Sequence, residues 1–167
     1  MKDREHLPIF GIGPVYGAVV VVTSLAGIAL SMMGKLDSGK VQSKGAVLFM
    51  IVAGTALCIY GAALWWPTAF GKNSIPKYIE ENKLCVTGVY KIVRNPCYTG
   101  LTFIWIGFLI IAHNLWLFIL PFFYWIVMTE ILKNTEEKWL FNIHGEAYRQ
   151  YCSRVNRCIP WFPKKDL

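Results

Sequence analysis

Four stretches of the 167-residue chain are almost wholly apolar, and their lengths decide what they can be. Gly13–Met33 runs 21 residues and Gly45–Trp66 runs 22, neither with a charged side chain. About 20 such residues, rising 1.5 Å each, cross a ~30 Å hydrocarbon core as an α-helix. From Pro96 to Ile131 only His113 and Glu130 are ionisable. A single helix of that length would reach about 54 Å, so the run must fold back on itself. His113-Asn114 marks the turn and leaves two shorter arms, Tyr98–Ala112 and Leu115–Leu132, as a helical hairpin. From Lys133 the chain turns polar but keeps a helical pattern, with Trp139, Leu140 and Ile143 on one face and Tyr148 and Tyr151 following. Gly145 interrupts this stretch, and Pro160 and Pro163 end it. The expected architecture is therefore all-α and integral to the membrane, one domain over residues 1–167. About four transmembrane helices (about 13–33, 45–66, 98–112 and 115–132) precede a C-terminal amphipathic helix on the cytoplasmic face.

Composition narrows the class. Charged residues make up 16% of the chain and the apolar set 55%, with a mean hydropathy of +0.42. A soluble domain carries about 25% charged residues, and a disordered tail needs low hydrophobicity, so both are excluded. The net charge of +7 does not call for nucleic acid. Of seventeen Lys and Arg residues, only Lys35, Lys40 and Lys44 fall between the first two spans; the rest fall on the side of both termini. That asymmetry predicts cytoplasmic N- and C-termini. Trp65-Trp66 and Trp161-Phe162 read as interfacial anchors, and Gly13-x-x-x-Gly17 as either a close-packing pair or a chance spacing. The five cysteines form no C-x-x-C pair and no metal-ligand spacing, so free thiols and no metal site are expected. No cleavable leader is expected, since Lys2-Asp3-Arg4-Glu5 precedes a run long enough to span.

Polar chemistry gathers in two segments flanking the hairpin. The first holds Gly88, Tyr90, Arg94, Asn95, Pro96, Tyr98 and Gly100. A helix that starts at Pro96 offers free N–H groups to an anionic or polar group, and Arg94 adds a planar five-donor fork. The second holds Glu136-Glu137, His144-Gly145, Tyr148, Tyr151, Arg157 and Pro160. Taken alone, the carboxylate pair reads as a solvated face, and Glu130 as either an interfacial residue or one facing a polar cavity.

Together the two segments resemble the paired signatures of the membrane-embedded isoprenylcysteine carboxyl methyltransferases and phospholipid methyltransferases. Gly88-x-Tyr90-x-x-x-Arg94-Asn95-Pro96-x-Tyr98-x-Gly100 is similar to the first signature. Glu136-Glu137, Gly145, Tyr148, Tyr151, Arg157 and Pro160 are similar to the second. The likeness covers about Leu84 to Pro160, nearly half the chain. It implies S-adenosylmethionine as cofactor and S-adenosylhomocysteine as product, held within region 82–160. The cofactor-binding residues it implies are Asn82, Leu84, Cys85, Tyr90, Asn95, Pro96, Cys97, Tyr98, Glu136 and Tyr148. The catalytic residues it implies are Arg94, Glu137 and Arg157. The acceptor it implies is a lipophilic molecule entering from the bilayer, either a lipid-linked or prenylated carboxylate or thiol, or a phospholipid amine.

Two departures stand out. Many members carry His where this chain has Asn95, an amide that bonds but does not titrate. The isoprenylcysteine enzymes carry Arg four residues before the first Glu, where this chain has Leu132. Lys133, Arg94 or Arg157 is left to fill that role. A transporter subunit is disfavoured by the lack of ionisable residues near the midplane. A non-catalytic membrane scaffold stays open, as does the oligomeric state; no nucleic acid is expected.

Overall fold

The computed structural model describes residues 11–70 and 83–160. Among these residues the regular elements are helical. They are α1 (Gly13–Met32), α2 (Lys44–Phe70), α3 (Pro96–Ile111), α4 (Ile119–Asn134), α5 (Glu136–His144) and α6 (Glu146–Arg154). Short 3-10 turns precede α3 (Gly88–Lys91) and α4 (Leu115–Phe118). Gly13–Met32, Lys44–Phe70 and the nearly continuous run Leu115–His144 are long and apolar enough to cross a membrane. The 16 residues of α3 make the shorter partner, about 24 Å long at 1.5 Å per residue. The protein is an all-helical integral membrane protein, with α3 and α4 as the expected hairpin. His113 sits at its turn with φ +40°, a left-handed conformation that few non-glycine residues adopt.

One boundary differs from expectation. The apolar run predicts a second span over about 45–66, yet α2 continues through Pro67 to Phe70. Pro67 removes the one N–H that would bond the Ala63 carbonyl a turn earlier, and a membrane helix tolerates the loss of that single bond. Next to it, Thr68 Oγ1 donates to the Trp65 carbonyl at 2.6 Å, a bond within the last turn of α2.

The tightest packing joins α2 to α3. A Cβ added at Gly54 would lie 2.6 Å from the Gly107 carbonyl oxygen, and one at Gly107 equally close to the Gly54 carbonyl. Gly61 and Gly100 repeat the relation reciprocally at 2.6 Å. Seven residues separate the glycines on each helix, so the two backbones touch at two levels. Apolar lipid provides no hydrophobic drive between helices, and such close approach gains van der Waals contact instead. Gly13 and Gly17 do face α3, but at ordinary distances: a Cβ at Gly17 would meet Leu101 at 3.4 Å.

Helix α1 is tied to the hairpin by hydroxyls. Tyr16 and Tyr124 are fully buried. The Tyr16 hydroxyl bonds Thr102 at 2.7 Å, and the Tyr124 hydroxyl bonds Ser24 at 2.7 Å and Thr23 at 2.9 Å. At the hairpin turn, Asn114 is also fully buried. Its amide donates to Ser31 Oγ at 2.8 Å and to the Leu36 carbonyl at 2.9 Å, which latches the α1–α2 loop over the turn.

Candidate functional site

The opposite end of the bundle is assembled by a strap. After α6 the chain becomes extended at Val155 and runs back along the start of α3. Arg94 N–H donates to the Asn156 carbonyl at 2.9 Å, Asn95 Nδ2 to the Arg157 carbonyl at 3.0 Å, and Thr99 Oγ1 to the Cys158 carbonyl at 2.8 Å. Tyr151 donates its hydroxyl to the Tyr90 carbonyl at 2.7 Å. Asn95 thus spends its amide on the strap, and no side chain caps α3. Leu84 packs against the cluster of Tyr148, Tyr151 and Val155.

Glu137 lies under this strap. Arg157 grips it with a two-point fork, Nε to Oε1 and Nη2 to Oε2, both at 2.8 Å. Arg94 Nη2 lies 3.2 Å from the same Oε1, with the Arg94 and Glu137 side chains about nine-tenths buried (9% and 10% exposed). Arg94 Nη1 also donates to the Cys152 sulfur, while Arg94 Nε is buried without a partner. Burial, reinforced by the charge of Glu137, pushes the neighbouring Tyr148 hydroxyl up, so it stays protonated at neutral pH.

Glu136 faces the other way. Its Oε1 accepts the Tyr98 hydroxyl and, at 3.3 Å, the Ile12 N–H at the entry to α1. The Tyr98 ring tilts against Tyr16, centroids 5.7 Å apart. Cys97, one residue earlier, turns toward Trp65 and Thr68 of α2.

The implied site residues therefore fall into three places. Cys97, Tyr98 and Glu136 sit where α3 and α5 meet α1 and α2. Arg94, Glu137, Arg157 and Tyr148 form a second cluster, on the opposite flank of α5. Leu84 and Tyr90 join this second cluster through Tyr148 and Tyr151 of α6, Asn95 and Pro96 stand at the start of α3 under the strap, and Cys85 is half-buried in the approach segment. Asn82 lies outside the described residues. Leu132, where the isoprenylcysteine enzymes carry Arg, is fully buried in the apolar core. Sequence reasoning missed Cys152, one helical turn after Tyr148, and the Ile12 N–H. The i,i+4 spacing of Tyr148 and Cys152 was a usable signal for the first. The second is a backbone group and leaves no mark in sequence.

The chemistry of the first place suits a nucleoside-bearing sulfonium. Among the described residues Glu136 accepts its hydrogen bonds on Oε1, and a carboxylate's second oxygen suits a ribose hydroxyl or an ammonium. The uncapped start of α3 offers N–H groups to a carboxylate, and Tyr98 contributes a ring face. Among the described residues no group of three or more His, Cys, Asp or Glu side chains is arranged to hold a metal.

A bundle of apolar helices whose paired carboxylates, Glu136 and Glu137, sit among arginines and tyrosines at one end defines a membrane-embedded protein with a candidate site at that end. The model of the phospholipid methyltransferase family matches residues 45–147, and the chain belongs to that family. It is also similar to the protein-S-isoprenylcysteine O-methyltransferase of Schizosaccharomyces pombe, 31% identical over 88 residues. That alignment takes in 50% of this chain and 36% of the relative, so the chain spans about a third of the relative's length. No solved structure matches.

Proposed function

We propose that this protein is an integral-membrane methyltransferase that uses S-adenosylmethionine to methylate a lipophilic acceptor drawn from the bilayer. The observation that carries the reading is the Glu136 carboxylate, bonded by Tyr98 beside the uncapped start of α3. Family membership supports it independently. The bound cofactor supplies a methyl on positive sulfur; its C–S bond breaks as the acceptor's O, S or N bonds the methyl, releasing S-adenosylhomocysteine. The protein's part is alignment and exclusion of water. Glu136 anchors the donor, Tyr98 fixes the Glu136 rotamer, and the strap holds the start of α3 in place. A carboxylate or thiolate acceptor needs no base, whereas an amine must lose a proton.

Arg94 and Arg157 both engage Glu137, so in this reading the three position the strap and leave direct contact with the acceptor to other groups. Both termini face the cytosol. A prenylated or lipid-linked carboxylate or thiol ranks first as acceptor, with a phospholipid amine as the alternative.

Calorimetric titration of S-adenosylhomocysteine into the nanodisc-reconstituted protein tests the reading. A hydrogen bond to a charged group contributes about 1.5–3 kcal/mol, so Glu136→Ala is expected to weaken binding about ten- to hundredfold. Unchanged affinity in a folded variant overturns the assignment of Glu136. No binding by the wild type overturns the methyltransferase reading.

A further inference from the structure

Across α5 from Glu136, a cavity of about 350 Å³ opens where α4, α5 and α6 meet. Lys133, Lys138 and Arg149 line it together with the Asn142 amide, the Tyr148 ring and Phe141. Its inner wall includes Glu137, which adds no free negative charge because Arg94 and Arg157 already neutralise it. Behind that wall two guanidinium groups, Arg94 and Arg157, share the single Glu137 carboxylate, so the field reaching the cavity from the interior is positive as well. Glu146 lies 3.5 Å from the lining Arg149, in a pair that is two-thirds exposed and so weakly held.

Two features identify what such a cleft takes. Two ammonium groups and a guanidinium spread around one space suit a group with charge on several oxygens, whereas a lone carboxylate is satisfied by a single fork. The cleft also lies where α4 leaves the apolar span, with Phe141 exposed beside Arg149 at 5.5 Å. Basic residues at that level meet lipid headgroups, and an exposed ring beside them meets glycerol and acyl chain. We propose that this cleft binds the phosphate of an anionic lipid headgroup, at a site separate from the donor site around Glu136. The proposal does not rest on the methyltransferase reading, since binding alone tests it.

The full-length protein in zwitterionic detergent is titrated calorimetrically with dihexanoyl phosphatidylglycerol, dihexanoyl phosphatidylcholine and inorganic phosphate. Phosphatidylglycerol is expected to bind, and phosphatidylcholine to bind at least tenfold more weakly. Lys133→Ala, Lys138→Ala and Arg149→Ala each remove one exposed cation and are expected to weaken phosphatidylglycerol binding about fivefold. Lys44→Ala, at the other end of the bundle, is expected to leave it unchanged. Inorganic phosphate that binds with the same dependence on these residues supports the phosphate site and assigns its source to solution; phosphate that does not bind assigns it to the membrane. Equal binding by wild type and the three variants overturns the proposal, as does phosphatidylcholine binding as tightly as phosphatidylglycerol. Unaltered helical circular dichroism in each variant establishes that loss of binding is local.

Discussion

Two adjacent carboxylates, Glu136 and Glu137, do unlike work because one step along a helix turns a side chain through about 100°. Glu137 is locked between Arg157 and Arg94 in a nearly dry setting. Breaking such a pair strands a buried charge, at a cost of about 3–5 kcal/mol. Glu137→Ala is therefore expected to lower the thermal midpoint markedly. Glu137→Ala combined with Arg157→Ala should fall by clearly less than the sum of the two single changes, measured as a double-mutant cycle of melting curves. Additive losses would show that the fork contributes nothing. The carboxylate pair is plain in the sequence, but its division of labour is not. Which neighbour each acid meets depends on the strap at 155–158, and an extended strap leaves no periodic trace.

At the scale of elements, the α2–α3 contact sets the frame on which the site is built. Hydropathy alone fixes where α2 and α3 lie, because lipid demands long apolar helices. The pairing of Gly54 with Gly107 and of Gly61 with Gly100 is a matter of register between two helices, so neither helix shows it by itself. Pro67 misleads for a simpler reason: proline forbids only one hydrogen bond, and α2 runs on through it to Phe70. Gly107→Ala places a methyl within 2.6 Å of the facing carbonyl and is expected to destabilise by about 1–3 kcal/mol. Gly45→Ala, with no atom within 4 Å, gains helix propensity and is expected to be neutral or stabilising by up to ~1 kcal/mol. Equal melting temperatures for the two variants would remove the close approach from the account of stability.

At the scale of the whole molecule, the distribution of Lys and Arg predicts that both termini face the cytosol. Fluorescent protein fused to the C-terminus is expected to mature and fluoresce in cells, since it folds in the cytosol. A dark fusion, with an active alkaline phosphatase fusion at the same point, would reverse the orientation and put the Glu136 end outside.

The strap that completes this end also sets an order of events in synthesis. Asn95 waits for the Arg157 carbonyl, 62 residues downstream. At roughly 5–20 residues per second, about three to twelve seconds separate their emergence from the ribosome. Through that interval the hairpin is inserted while the start of α3 lacks its partners. A chain released just before Asn156 leaves an embedded bundle in which Arg94 N–H, the Asn95 amide and the Thr99 hydroxyl lack their strap partners. Quality control would meet such a product as a well-inserted protein rather than an aggregate, recognisable only by unmet groups at the membrane surface.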